Sequence, residues 1–65
     1  MTISKSKLDL AMARKKMNKS QLADAAGISR TRLYVIAGQK NVRPATIGRI
    51  ARALGVDVAD IIEDI

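Results

Sequence analysis

Residues 19–36 read KSQLADAAGISRTRLYVI, two short stretches with apolar residues at helical spacing on either side of a glycine. Ala23 falls where the first helix must approach the second closely, which requires a small side chain. Gly27 follows four residues later and suits a turn with positive φ. Leu33 and Ile36 would then face inward from the second helix. This order of residues is typical of a helix-turn-helix, although an ordinary helical hairpin would use similar ones.

The outward side of the second helix carries side chains that suit contact with DNA bases. Thr31, Tyr34 and Val35 lie opposite the inward pair, and Arg30 and Arg32 flank them. Methyl groups contact thymine, a tyrosine offers a ring and a hydroxyl, and arginine donates to guanine or to phosphate. These five residues are the candidate base contacts, with the alternative that Tyr34 and Val35 pack against a neighbouring helix.

Polar and basic residues bracket this helix and are candidates for phosphate contacts. The N-terminus of the first helix of the motif would present free amide N–H groups, which form a natural phosphate site. The candidates are Asn18, Lys19 and Ser20 at that end, and Lys40, Asn41 and Arg43 in the loop after the second helix. Any one of them alone would be an ordinary solvated side chain.

The composition favours a polyanion partner and argues against catalysis. All 12 Lys and Arg lie in residues 1–56, whereas residues 57–65 hold four of the 6 Asp and Glu, so a basic body with net charge +6 overall ends in an acidic segment. No Cys or His is present, which excludes disulfides, thiol nucleophiles and the usual zinc ligands. We therefore expect no enzyme activity, no cofactor and no small-molecule ligand.

The length and the hydropathy pattern indicate one small domain away from membranes. The 65 residues are enough for a single domain, with a mean hydropathy of +0.00. No apolar run approaches the roughly 20 residues of a membrane span, and the N-terminus lacks the apolar core of a signal peptide. A basic membrane-surface peptide is disfavoured because no helix carries a strongly cationic stripe. A cytoplasmic protein is expected.

At the N-terminal end, residues 1–5 are predicted to form a flexible arm. Ser6 and Asp9 have the spacing of a capping box, so a helix would start after Ser6 and continue to about Lys16. Leu10 falls off the apolar stripe of this helix, and it would be either solvent-exposed or part of a subunit contact.

At the C-terminal end, Pro44 suits the first turn of a fourth helix, which Gly55 would end. Asp57 would cap a fifth helix within the acidic and apolar residues 57–65. The apolar side chains here exceed what one short helix needs for docking, which favours a homodimer interface or a protein partner. The interface candidates are Val58, Ile61, Ile62 and Ile65. The predicted fold is an all-α, compact five-helix domain with a central helix-turn-helix.

From about Leu8 to Glu63 the chain resembles the Cro/phage-repressor, or Xre-type, family of helix-turn-helix domains. The resemblance is carried by Leu22, Ala23, Gly27, Ile28, Ser29, Leu33, Ile36, Pro44 and the run IARALGV at 50–56. It implies a five-helix repressor-like domain that binds DNA sequence-specifically, usually as a symmetric dimer on a palindromic operator.

The chain departs from this family at informative positions. The family commonly has a glutamine that touches a phosphate where this chain has Lys19, and a lysine keeps that role with less geometric discrimination. Met12 and Ala37 stand where many members pair an arginine with a glutamate, and an apolar contact can replace that pair at little cost. Gln39 stands at the usual loop glycine, with Gly38 one residue earlier.

The leading interpretation is a sequence-specific transcriptional regulator, preferably a repressor, that reads the major groove of a double-stranded DNA operator with residues 30–37. It is expected to act as a homodimer. The alternative is a protein-interaction module, or an antitoxin-like partner protein, on the same scaffold. A co-purifying protein with no specific DNA retained would favour the alternative.

Overall fold

A computed structural model describes residues 1–38 and 41–63. Its helices are α1 (Lys5–Lys15), α2 (Lys19–Ala26), α3 (Arg30–Ala37) and α4 (Pro44–Leu54), followed by one 3-10 turn, Val58–Asp60. The all-α class is confirmed, but the predicted fifth helix is this single turn, so the count of five is not. None of the helices in the described ranges has the length and apolar character needed to cross a membrane.

Side-chain caps fix the ends of the two central helices. Asn18 Oδ1 accepts the Gln21 backbone N–H at 2.8 Å, and Gln21 Oε1 accepts the Asn18 backbone N–H at 2.9 Å. This reciprocal capping box starts α2. Gly27 ends α2 at φ 73°, and Ser29 Oγ then accepts the Arg32 N–H at 3.1 Å to start α3. The predicted caps and the predicted bounds of both helices are confirmed.

One apolar core joins all the helices. The described buried side chains are all hydrophobic, and burial of each of the larger ones, the isoleucines, leucines, valine and methionine, contributes roughly 1.5–3 kcal/mol. Leu33 and Ile36 of α3 are 0% and 3% exposed, as their spacing predicts. α2 packs most extensively against α4 and next against α3. The central motif is therefore packed against the rest of the domain mainly through the contact between α2 and the amphipathic α4. The largest fully buried side chains are Ile3, Leu8, Leu22, Leu33, Ile47, Ile50, Leu54 and Ile61.

The first four residues belong to the fold, so the prediction of a flexible arm over residues 1–5 is wrong. Ile3 is only 2% exposed and forms an antiparallel bridge with Ile62. We call this pairing the terminal clasp. Its backbone hydrogen bonds run from Ser4 N–H to Ile61 O (2.8 Å) and from Glu63 N–H to Thr2 O (2.9 Å).

The start of α1 also differs from the prediction of a capping box at Ser6 and Asp9. Ser4 is the capping residue, because its Oγ accepts the backbone N–H three residues later at 3.3 Å. Ile3 and Leu8 flank this cap in the positions of a hydrophobic staple, and both are buried. Because this apolar pair is buried, α1 starts two residues earlier than the capping box at Ser6 and Asp9 predicted.

Three helices end in the left-handed backbone region. Gly27 and Gly55 end α2 and α4 at φ 73° and 68°, as predicted for glycine. Lys16 ends α1 at φ 56° and is the non-glycine residue in this group. A β-carbon costs roughly 1–2 kcal/mol in that conformation, so the end of α1 carries backbone strain.

Candidate nucleic-acid interface

The outward face of α3 is open to solvent. Tyr34 is 56% exposed and Val35 is 52% exposed, so neither side chain is buried against a neighbouring helix in the way that the alternative interpretation required. The other three predicted base contacts on this helix are also exposed, namely Arg30, Thr31 and Arg32. All five candidates are thus free to approach a ligand from one helix.

These residues fan out around the helix. At about 100° per residue, Thr31 points directly away from the buried pair, with Tyr34 and Val35 about 50° to either side. Arg30 continues on the Tyr34 side, and Arg32 continues on the Val35 side. The outward face therefore has a methyl-bearing centre and two edges, each with an arginine.

The first turn of α2 leaves two amide groups for an outside acceptor. The capping box uses the N–H groups of Asn18 and Gln21. Within the described part of the chain, the N–H groups of Lys19 and Ser20 have no acceptor. The positive end of the helix dipole and the ammonium group of the Lys19 side chain make this turn suitable for a phosphate. Because Asn18 Oδ1 is occupied by the cap, its amide nitrogen is the part left for such a contact.

A cation–π contact joins this turn to α3. Lys19 Nζ lies 4.7 Å from the centroid of the Tyr34 ring. That distance is inside the roughly 6 Å at which an ammonium is attracted to a ring face. One predicted phosphate contact and one predicted base contact are therefore in direct contact with each other. The Tyr34 edge of α3 is the edge beside the N-terminus of α2.

The described part of the loop before α4 holds two of the predicted phosphate contacts. Asn41 and Arg43 are exposed, while Val42 between them is 4% exposed. Val42 N–H donates to the Met1 carbonyl oxygen at 2.7 Å, which fastens the loop to the N-terminal segment. Arg43 is the N-cap residue of α4 but makes no side-chain cap hydrogen bond. Lys40, a predicted phosphate contact, lies outside the described residues.

The predicted dimer interface at the C-terminal end is wrong for Ile61. This side chain is 0% exposed and completes the core of the chain itself. Val58 and Ile62 are partly buried against the same core, and Ile65 lies outside the described residues. The three described residues of this set therefore pack against the chain's own core, through a 3-10 turn and the terminal clasp instead of one helix.

An exposed apolar residue on α1 marks another surface. Leu10 is 54% exposed on the single chain, which fits both alternatives for it, solvent exposure and a subunit contact. It adjoins a groove of about 220 Å³ between α1 and the 3-10 turn. Arg14 lies on one side of this groove and Asp60 on the other. The sequence showed Leu10 to be off the core stripe, but it gave no sign of the groove.

Comparison with known proteins gives a family and several related structures. The family model for the Cro/C1-type HTH DNA-binding domain matches residues 7–65. No curated protein matches the sequence. Native PhpD with cadmium atoms is similar to this chain, with a TM-score of 0.82 and 30% identity over 98% of this chain. PhpD with cadmium and hydroethylphosphonate has a TM-score of 0.81 and 30% identity. A mutant of hydroxyethylphosphonate dioxygenase has a TM-score of 0.82 and 31% identity, and both comparisons cover 98% of this chain. This chain spans 14% of the length of each of those chains.

Proposed function

We propose, because the chain belongs to the family of Cro/C1-type helix-turn-helix DNA-binding domains, that it regulates transcription by sequence-specific binding to double-stranded DNA. The observation that carries this proposal is the exposed outward face of α3, with Thr31, Tyr34 and Val35 between two arginines. In the major groove, methyl contacts and paired hydrogen-bond donors distinguish one base pair from another. Binding over a promoter would make the protein a repressor.

In the proposed complex, α3 lies in the major groove and phosphates are held on both sides of it. The first turn of α2 takes one phosphate through the N–H groups of Lys19 and Ser20. The loop before α4 takes another through Asn41 and Arg43. The excess of basic residues in 1–56 draws the domain toward the DNA backbone over a longer range.

Selection of binding sites from random DNA tests this proposal. We expect a consensus sequence, with affinity that falls steeply as salt rises because each phosphate contact releases counterions. Two half-sites about 10 base pairs apart would support a symmetric dimer. A single unsymmetrical site would contradict the dimer. Millimolar, salt-insensitive binding to every sequence would contradict the whole proposal.

Three substitutions separate base contacts from phosphate contacts. Thr31→Ala or Arg32→Ala should change the preference at particular base pairs, each by roughly 1–3 kcal/mol. Arg43→Ala should weaken binding to all sequences alike and reduce the salt slope by about 1. Arg52→Ala is the matched control, since it removes the same charge from the far end of α4. An equal effect of Arg43→Ala and Arg52→Ala would refute a phosphate contact in the loop.

We propose no catalytic role for this chain. The dioxygenase that it resembles is much longer, and the chain spans 14% of that protein. The chain itself contains no Cys and no His. The activity named for the longer protein is therefore not carried over, and neither is a cofactor.

A protein–protein contact is the second candidate function, and exposed Leu10 favours it. The groove beside Leu10 has a mixed lining, with apolar residues from α1 and the C-terminal end beside the charged Lys7, Arg14 and Asp60, and a second copy of the chain can complement such a surface. Sedimentation of wild type and of Leu10→Glu, with and without DNA, tests this candidate. Loss of a dimer in Leu10→Glu is expected, with the fold retained by circular dichroism. A wild-type monomer at high micromolar concentration under both conditions would remove it.

A further inference from the structure

We propose that Tyr34 is a positioning residue for the phosphate contact of α2. Its ring holds the Lys19 ammonium beside the first turn of α2, so that phosphate binding by α2 and base reading by α3 depend on each other. This inference rests on the proposed DNA-binding function and adds the coupling between its two kinds of contact.

The first support is that the Lys19 side chain is held against the protein surface. Its Nζ lies 4.7 Å from the Tyr34 ring centroid. Of the described lysines and arginines, only Lys7 and Lys19 are partly buried. A free lysine side chain samples many rotamers, and that freedom is lost when it binds a phosphate. Contact with the ring restricts Lys19 before DNA arrives, so less freedom remains to be lost on binding.

The second support is the place of the pair between the two kinds of site. The Lys19 and Ser20 N–H groups lie free at the same turn of α2 that carries the ammonium. Tyr34 lies about 50° from the outward centre of α3, on the edge that faces this turn. A phosphate held by the two amides would therefore be next to the ammonium, and the ammonium is held by the helix that reads the bases.

The ring and the hydroxyl of Tyr34 have separable roles. The face of an aromatic ring attracts the ammonium, and a phenylalanine ring provides such a face without the hydroxyl. Tyr34→Phe should therefore keep the coupling, whereas Tyr34→Leu should remove it, because leucine is apolar but shorter and has no ring. The pair of variants separates positioning of Lys19 from any hydrogen bond that the Tyr34 hydroxyl makes.

The contact is tested first without DNA, by NMR of the whole chain. Tyr34 is the only aromatic residue in the sequence, so a ring-current shift on the Lys19 ε-methylene protons can come from no other side chain. We expect an upfield shift in wild type and in Tyr34→Phe, and its disappearance in Tyr34→Leu. An unshifted Lys19 ε-methylene in wild type would overturn the inference.

The coupling is tested next by a double-mutant cycle on a DNA site selected from random sequence. Lys19→Ala should weaken the binding of wild type to this site. The same change in the Tyr34→Leu background should cause a loss of affinity that is roughly two- to fivefold smaller. In the Tyr34→Phe background, Lys19→Ala should cause the same loss of affinity as in wild type. Arg32→Ala is the control background, because Arg32 lies on the opposite edge of α3, and its effect should add to that of Lys19→Ala. Circular dichroism of every variant establishes that the fold is retained.

The outcomes separate this inference from the function on which it rests. Additive effects of Lys19→Ala and Tyr34→Leu, with wild type still binding its selected site, refute the coupling and leave DNA binding intact. A larger cost of Lys19→Ala in the Tyr34→Leu background also refutes it, because the ring would then compete with the phosphate. A wild-type protein that selects no DNA sequence refutes the proposed function, and the coupling falls with it.

Discussion

Alanine substitutions at Gly27 and Gly48, made one at a time, should change the free energy of unfolding in opposite directions. No atom lies within 4 Å of a β-carbon added at either position, apart from immediate chain and helix neighbours. Packing therefore cannot distinguish the two sites. The backbone conformation does distinguish them, because Gly27 ends α2 at φ 73° and Gly48 lies inside α4.

The expected magnitudes follow from these conformations. At Gly27, a β-carbon in the left-handed region costs roughly 1–2 kcal/mol. The reduced freedom of alanine in the unfolded chain offsets roughly 0.4–1 kcal/mol of that cost. At Gly48, alanine should stabilise the helix by about 0.8–1.0 kcal/mol. The two variants should thus differ by about 2 kcal/mol, which for a domain of this size is roughly 8–16 °C in Tm.

Thermal and urea unfolding followed by circular dichroism measure this difference. Gly55→Ala is the internal control: it shares the left-handed backbone at φ 68°, and its β-carbon would lie 3.2 Å from Lys15 Cε. It should therefore lose at least as much stability as Gly27→Ala. A Gly27→Ala protein more stable than wild type, or a Gly48→Ala protein that is less stable, would refute the reasoning.

Three further substitutions test the ends of the helices and the N-terminal segment, each by thermal unfolding. Lys16→Gly should raise stability by about 0.5–1 kcal/mol, since it relieves the left-handed strain at φ 56°; a loss would mean that the Lys16 side chain makes a stabilising contact. Ile3→Ala should cost about 2–5 kcal/mol because the side chain is buried, whereas a residue in a flexible arm would cost nothing. Asn18→Ala should cost about 1 kcal/mol through loss of the α2 cap, and an unchanged Tm would mean that water replaces the cap at no cost.

The central motif was predictable because its signals are local. Asn18, Gly27 and Ser29 each act within three or four residues of their own position, and the observed ends of α2 and α3 follow them. The exposure of the outer face of α3 follows equally from helical geometry once Leu33 and Ile36 are placed inward.

The ends of the chain were not predictable in the same way. Ser4 and Ser6 are both able to cap a helix, and the choice between them depends on Ile3, which pairs with Ile62 almost sixty residues away. Helical periodicity contains no information on such a pairing. The burial of Ile61 depends on the same distant contact.

The contact between Lys19 and Tyr34 has a different origin. It depends on the angle at which α2 and α3 cross, and this angle is set by how both helices pack in the core. The sequence predicted Lys19 as a phosphate contact and Tyr34 as a base contact. Their spacing along the chain could not show that the two side chains meet.

The terminal clasp also determines how this fold can be joined to other polypeptides. Thr2 and Glu63 share a 2.9 Å backbone hydrogen bond, so a chain that enters at one of them and leaves at the other does so at the same edge. A domain with adjacent ends can be inserted into a surface loop of a larger host without stretching that loop. It can also be circularly permuted, with a short linker across the clasp and new ends elsewhere on its surface.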